Sequence, residues 1–199
     1  MTIPFAILRH AATAWNVEGR LQGLTDTALS ADGEKTARAW HLPAPATHWR
    51  RLCSPLQRAR RTAELLQPGA PAAIDPALQE MSFGAWEGHT IAELRLKLGD
   101  VFLAEERKGL DFKPPGGESP REAMHRIGAW AGRVATLGEP VVAVSHKAIM
   151  RALLALATGW DMTDRPPHKL DWQALHFFVA ERDGRVRIAH LNVPLTDAP

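Results

Sequence analysis

The sequence has one cysteine, Cys53, among 199 residues, so no disulfide can form within the chain. No Cys/His pair stands at zinc-ligand spacing and no His-Glu-x-x-His occurs, which removes the common zinc sites. Walker A and dinucleotide-binding glycine patterns are missing too. Neither a metal nor a cofactor is therefore expected. The longest early apolar stretch, Ile3 to Leu8, is too short for a secretory core or a membrane span. No membrane partner is expected, and a reducing cytoplasm is the expected location. Net charge is only +2, from 24 basic and 22 acidic residues, which gives no reason to expect nucleic acid. The densest basic run, Arg50, Arg51, Arg58, Arg60 and Arg61, spreads around a strand and a helix and reads as a solvated face plus one functional arginine.

What is present is ordinary in bulk. Hydrophobic residues make up 45% and charged residues 23%, which suits a globular chain, and the length fits one domain over 1–199. Phe5-Ala6-Ile7-Leu8 and Val141-Val142-Ala143-Val144-Ser145 are continuous apolar runs, as in strands buried on both faces of a parallel sheet. The first leads into Arg9-His10 and the second into His146. Ligands of open α/β sheets bind at the carboxyl ends of such strands, so two histidines and an arginine reach the place where chemistry is expected.

Between these runs the signals alternate. Ser30 caps a helix to about Trp40, and a strand follows near Arg51-Cys53. Ser54-Pro55-Leu56-Gln57 reads as a capping box, with an apolar stripe at Leu56, Ala59, Ala63 and Leu66. Residues 81–117 look irregular, with a short helix or two between Thr90 and Lys108, and read as a cap over a pocket. Trp15 and Trp86 are expected to wall that pocket. Ser119-Pro120-Arg121-Glu122 is a second capping box, and its helix carries Met124, Ile127, Ala131 and Val134 on one stripe. A helix from Lys147 to Thr158 and two strands around Asp183-Gly184 complete the chain. This order predicts a three-layer α/β/α sandwich with a mostly parallel sheet and an antiparallel edge.

The segment Leu8-Arg9-His10-Ala11-Ala12-Thr13-Ala14-Trp15-Asn16 resembles the Arg-His-Gly signature of the histidine phosphatase superfamily, phosphoglycerate mutase-like branch. Similar segments follow in order: Gly19-Arg20-Leu21-Gln22-Gly23, Ser54-Pro55-Leu56-Gln57-Arg58-Ala59, Glu80 before Phe83-Gly84-Ala85-Trp86-Glu87-Gly88, and Val144-Ser145-His146. Arg-His alone means nothing; the ordered set is specific. The resemblance implies that His10 is the nucleophile and Glu80 the proton donor. Arg9, Arg58 and His146 would clamp the phosphate, with Asn16, Gln22 and Gly23 adding substrate contacts. Arginine forks suit that task, because they bind phosphate oxygens in pairs with charge-assisted bonds. Glu87 and Glu118 are weaker candidates, expected to be structural. Ala11 stands where the family has glycine, which would matter if that position needs φ > 0. Lys147-Ala148 replaces Gly-Gly or Gly, and Lys147 is expected to point to solvent.

Within the family, mutases carry a longer insertion that starts with Tyr-Gly and holds an arginine pair for a carboxylate. This chain has no tyrosine and no Arg-Arg pair between 84 and 117. The expected activity is thus hydrolysis of a small phosphomonoester through phosphohistidine, as in α-ribazole phosphatases or broad-specificity phosphatases. A phosphoglycerate mutase is one alternative, and a non-catalytic phosphate-binding module, which loss of His10 or Glu80 would favour, is another. The cap aromatics Trp86, Phe102 and Phe112 predict apolar leaving groups. A homodimer is left open.

Overall fold

The computed structural model describes residues 2–195. Its centre is a six-stranded sheet in the order β3-β2-β4-β1-β5-β6. Strands β1 (Thr2–Arg9), β2 (Arg50–Cys53), β3 (Ala73–Ile74) and β4 (Val141–Ser145) run parallel, whereas β5 (Ala174–Glu181) and β6 (Val186–Pro194) form the antiparallel edge. The continuous apolar runs resolve into two faces with the strand period of two. Phe5, Ile7, Val141 and Ala143 pack with Ile127, Trp130, Ile149 and Leu153 on one side. Ala6, Leu8, Val142 and Val144 pack with Ala37, Ala59, Ala63 and Leu66 on the other. Both central strands are thereby sealed from water. Trp130 meets the edge of Phe5 at 5.2 Å and 86°, a favoured aromatic geometry.

The first layer holds α6 (Pro120–Leu137) and α7 (Lys147–Thr158), and the second holds α2 (Ala31–Ala39) and α3 (Gln57–Leu66). Each starts where a local signal places it, with one exception. Ser30 Oγ accepts from Gly33 N–H, and Ser119 forms the reciprocal box with Glu122. Ser54 caps nothing. Helix α3 begins at Gln57 with Leu56 at the N-cap and no capping bond from that residue's side chain. Asp26, from a distant loop, accepts from Gln57 N–H at 2.7 Å instead. The first layer also touches a smaller cluster, Trp86, Leu94 and Phe102, which is the core of the cap. That cap contains α4 (Ile91–Leu98) and α5 (Asp100–Glu106), while a single turn, α1 (Ala14–Val17), follows β1.

The two ends of the cap meet in a narrow stem. Ala85 N–H donates to Pro115 carbonyl at 3.0 Å, and Glu118 N–H donates to Ser82 carbonyl at 2.9 Å. Gly84 is in the left-handed region at φ +49°, and a Cβ there would lie 2.2 Å from Pro115 carbonyl oxygen. Only glycine lets the two ends of the cap approach so closely. No helix among the described residues is long and apolar enough to cross a membrane.

Candidate active site

Parallel pairing brings the site together. Arg9 is in register with Ser145, so His10 and His146, the next residues, emerge side by side with ring centroids 5.1 Å apart. His10 N–H donates to Ser145 carbonyl and Ser54 N–H to Val144 carbonyl, both at 3.0 Å, which ties the ends of β1, β4 and β2 to one another.

The hydrogen bonds of the two histidines differ in kind. His10 Nδ1 lies 2.7 Å from Ala11 carbonyl oxygen, which can only accept, so Nδ1 carries the proton and Nε2 keeps its lone pair. Burial, with Arg9 and Arg58 nearby, holds this imidazole well below its usual pKa. His146 Nε2 lies 2.7 Å from Ser54 Oγ, and that oxygen accepts a longer bond from Leu56 N–H. A hydroxyl oxygen has two lone pairs, so Ser54 can pair with Nε2 as donor or acceptor, and Nδ1 of His146 is buried without a partner. Burial and the adjacent His10, Arg58 and Arg9 depress the His146 pKa in the same direction.

Ala11 departs from the family glycine without strain, since Met162 and Asn192 are the non-glycine residues at positive φ among those described. Its N–H donates to Thr62 Oγ1 at 3.0 Å, and the Thr62 hydroxyl donates to Arg58 carbonyl at 2.7 Å. Arg58 is fully buried, and its guanidinium donates to the carbonyls of Thr25 and Gly23 at 2.9 and 2.8 Å. These bonds orient the fork without neutralising it, and its Nε stays unpaired. Gly23 is not part of the cavity wall; it sits at φ +55° behind Arg58, where a Cβ would collide with the Glu87 carboxylate. Arg9 Nε is likewise buried without a partner.

The two amides are oriented by hydroxyl and backbone donors. Gln22 Oε1 accepts from Thr13 and Thr27 hydroxyls at 3.1 and 2.6 Å, and Asn16 Oδ1 accepts from Thr13 N–H at 3.1 Å. In both residues the NH₂ end is left to donate, and both line the cavity. Glu80 is buried, with Met81 N–H and Ala148 N–H donating to its two oxygens at 3.0 and 3.3 Å. Burial raises its pKa against the opposing pull of those bonds and of Arg58 and Arg9. Glu87 instead accepts from Leu24, Thr25 and Phe83 backbone N–H groups and braces the turn behind Arg58. Glu118 holds Arg126 at 2.9 and 2.6 Å. Both are scaffold residues.

These side chains surround a cavity of about 520 Å³ that includes Arg9, His10, Arg58 and Glu80 in its wall, with His146 buried behind His10. The sequence profile of the histidine phosphatase superfamily, branch 1, matches residues 5–194. The chain belongs to this family. This histidine phosphatase is 31% identical to an adenosylcobalamin/α-ribazole phosphatase from Salmonella typhimurium, over 75% of this chain and 76% of that one. It is 32% identical to a probable phosphoglycerate mutase from Salmonella paratyphi C, with 96% of each covered. The crystal structure of a putative α-ribazole-5'-P phosphatase from Escherichia coli superposes with a TM-score of 0.83 at 23% identity, covering 99% of both chains. At that identity the likeness carries the fold alone.

The cavity of this histidine phosphatase differs from expectation in its outer wall. Trp86 and Phe102 do not face it; their rings meet at 4.9 Å, tilted by 60°, in the cap's own core. Trp15 packs near Gly88, away from the cavity. The apolar wall comes from Leu21, Phe83, Ile91, Phe112 and Met162. Lys147 is exposed, as expected, but at the cavity edge, and Arg151, one turn further on α7, lines it too. Arg151 carried no signal in the sequence beyond its i+4 spacing from Lys147.

The buried histidines make the stability of this histidine phosphatase acid-sensitive. A histidine whose folded pKa is depressed stays neutral while the unfolded chain takes up a proton. Its contribution is intact above the unfolded value near 6.5 and is lost as pH falls below it. Glu80, with its raised pKa, acts in the opposite sense below its folded value. Urea unfolding at pH 7.5, 6.5 and 5.5 should show stability falling by up to about 1.4 kcal/mol per pH unit per histidine below 6.5. A flat profile over that window would mean that the imidazoles protonate freely in the folded state.

Proposed function

We propose that the chain is a phosphomonoester hydrolase that works through a phosphohistidine on His10. The observation that carries this reading is the bond from His10 Nδ1 to Ala11 carbonyl, which leaves a neutral imidazole with its Nε2 lone pair beside the buried Arg58 and the half-buried Arg9. Arg9, Arg58, Asn16, Gln22 and the unpaired Nδ1 of His146 bind the phosphoryl oxygens. Their donors stay fixed as negative charge grows in transfer, which is where such groups contribute most.

His10 Nε2 attacks phosphorus, and the P–O bond to the leaving group breaks. Glu80, whose pKa burial raises, passes a proton to the departing alkoxide. Glu80 then takes a proton from water, the hydroxide attacks phosphorus, and the N–P bond returns its electron pair to His10. The arginine charges and the fixed neutral donors do the work often given to a metal. Among the described residues no three His, Cys, Asp or Glu side chains cluster as ligands. The buried, unpaired Cys53 is compatible with work in the cytoplasm.

Phosphate release from phenyl phosphate tests this reading. Activity should survive excess chelator, and vanadate, which mimics the transferring phosphoryl group, should inhibit. A strict need for an added divalent ion would overturn the charge assignment. Mutase action is the second reading, favoured by the relative named for it. With 3-phosphoglycerate and a bisphosphoglycerate primer the protein should form little 2-phosphoglycerate; efficient turnover there would reverse the hydrolase assignment.

A further inference from the structure

Lys147 and Arg151 stand at i and i+4 on α7, a spacing that makes like charges neighbours and by itself weakens a helix. Both line the cavity that holds His10. Neither has a carboxylate at ion-pair distance or a hydrogen-bond partner, although ion pairs are plentiful elsewhere on the molecule. Each is steadied on an aromatic face instead. Lys147 Nζ lies 5.2 Å from the Trp172 ring centre, and the Arg151 guanidinium carbon lies 4.7 Å from that of Trp160. Such contacts orient a cation without cancelling its charge.

The acids near them are already engaged. Glu80 faces Lys147 but accepts from Met81 and Ala148 N–H groups, and Glu106 on the cap side of the cavity is bound in bidentate fashion by Arg95. A phosphate dianion at His10 would be matched by Arg9 and Arg58. Two cations remain over, and nothing in the fold explains them.

We infer that Lys147 and Arg151 form a second anion site, so that the ester cleaved carries a further negative group, a carboxylate or a second phosphate, on its leaving group. Phe112 and Met162 line the same cavity, so that leaving group combines an apolar body with its charge. This inference rests on the hydrolase reading for its meaning, but its test does not need turnover.

Benzylphosphonate, 4-carboxybenzylphosphonate and p-xylylene bisphosphonate cannot be hydrolysed, and their dissociation constants can be measured by calorimetry on the intact protein. At least one doubly anionic probe should bind roughly tenfold or more tightly than benzylphosphonate, as expected for a new charge-assisted contact. Whichever of the two binds better identifies carboxylate or phosphate. Lys147→Met and Arg151→Met should each move that ratio toward one. Lys147 is exposed, so Lys147→Met keeps the test valid if the half-buried Arg151 proves necessary for folding. Equal binding of all three probes to the wild-type protein would overturn the second site. Failure to release phosphate from any monoester would instead overturn the hydrolase reading, whatever the binding ratio.

Discussion

Replacing His10 with alanine is expected to lower kcat by roughly 10⁴-fold or more while the protein stays folded, because the group that takes the phosphoryl is gone and no neighbour can replace it. His146 is 5.1 Å away ring to ring, but it is fully buried behind His10, its Nε2 is committed to Ser54, and it is not part of the cavity wall. The change leaves Ala11 carbonyl without its imidazole donor, a loss of about 1–3 kcal/mol that a folded domain can survive. Circular dichroism should be native-like. Denaturing the wild-type protein in alkaline detergent during turnover should trap protein-bound phosphate that is stable to alkali and lost in acid, and that His10→Ala lacks. Substantial turnover by His10→Ala would remove the covalent mechanism.

Glu80→Gln should reduce kcat by about 10²–10⁴-fold, the usual contribution of a positioned acid and base, with far less effect on binding of inorganic phosphate. Its stability should move the other way. Glu80 has a folded pKa raised above 4.5, so the fold favours the protonated form. The stability this gives at low pH is lost as pH rises through the folded value, where a charge must be held in a buried site. Glutamine carries no charge to bury. The difference in unfolding free energy between variant and wild type should therefore shift in the variant's favour from pH 4 to pH 8. Unchanged kcat would send the search for the acid elsewhere, with Glu87 already occupied by three backbone donors. A pH-independent stability difference would show that Glu80 does not titrate as burial requires.

Much of this site could be read from the chain because it follows from strand ends. His10 and His146 each end an apolar run, and adjacent parallel strands in register leave them nowhere to go but side by side. The second capping box was equally visible, since Ser119 and Glu122 are four consecutive residues' worth of local geometry. The first failed for a tertiary reason. Ser54 offers its hydroxyl to His146, 92 positions away, and the helix takes its cap from Asp26. Pairings of that kind leave no periodic trace. The same holds for Trp86 and Phe102, whose aromatic character suggested a pocket wall, whereas the cap had to bury them to have a core at all. Lys147 is in solvent as most lysines are, but nothing in the sequence signals that the α7 N-terminus abuts the cavity and puts that side chain at its edge.

The stem of two backbone bonds between 82–85 and 115–118 has a consequence for how specificity can change. Loop closure grows only slowly with length, about 0.6 kcal/mol for each doubling. The cap also grips the body elsewhere: Glu87 braces the turn behind Arg58, Leu21 shares backbone bonds with Gly88 and His89, and Leu110 N–H donates to Asp161 carbonyl. Residues may therefore be gained or lost at little cost to the sheet between these ties, in α4 and α5. Glu80 lies just outside the stem and Ser119 just beyond its far side, so the acid and the helix that follows keep their positions. Exchange of the segment between Thr90 and Gly109 thus offers a route to new leaving-group preferences, with the stem and Glu87 left in place around the phosphoryl-transfer core.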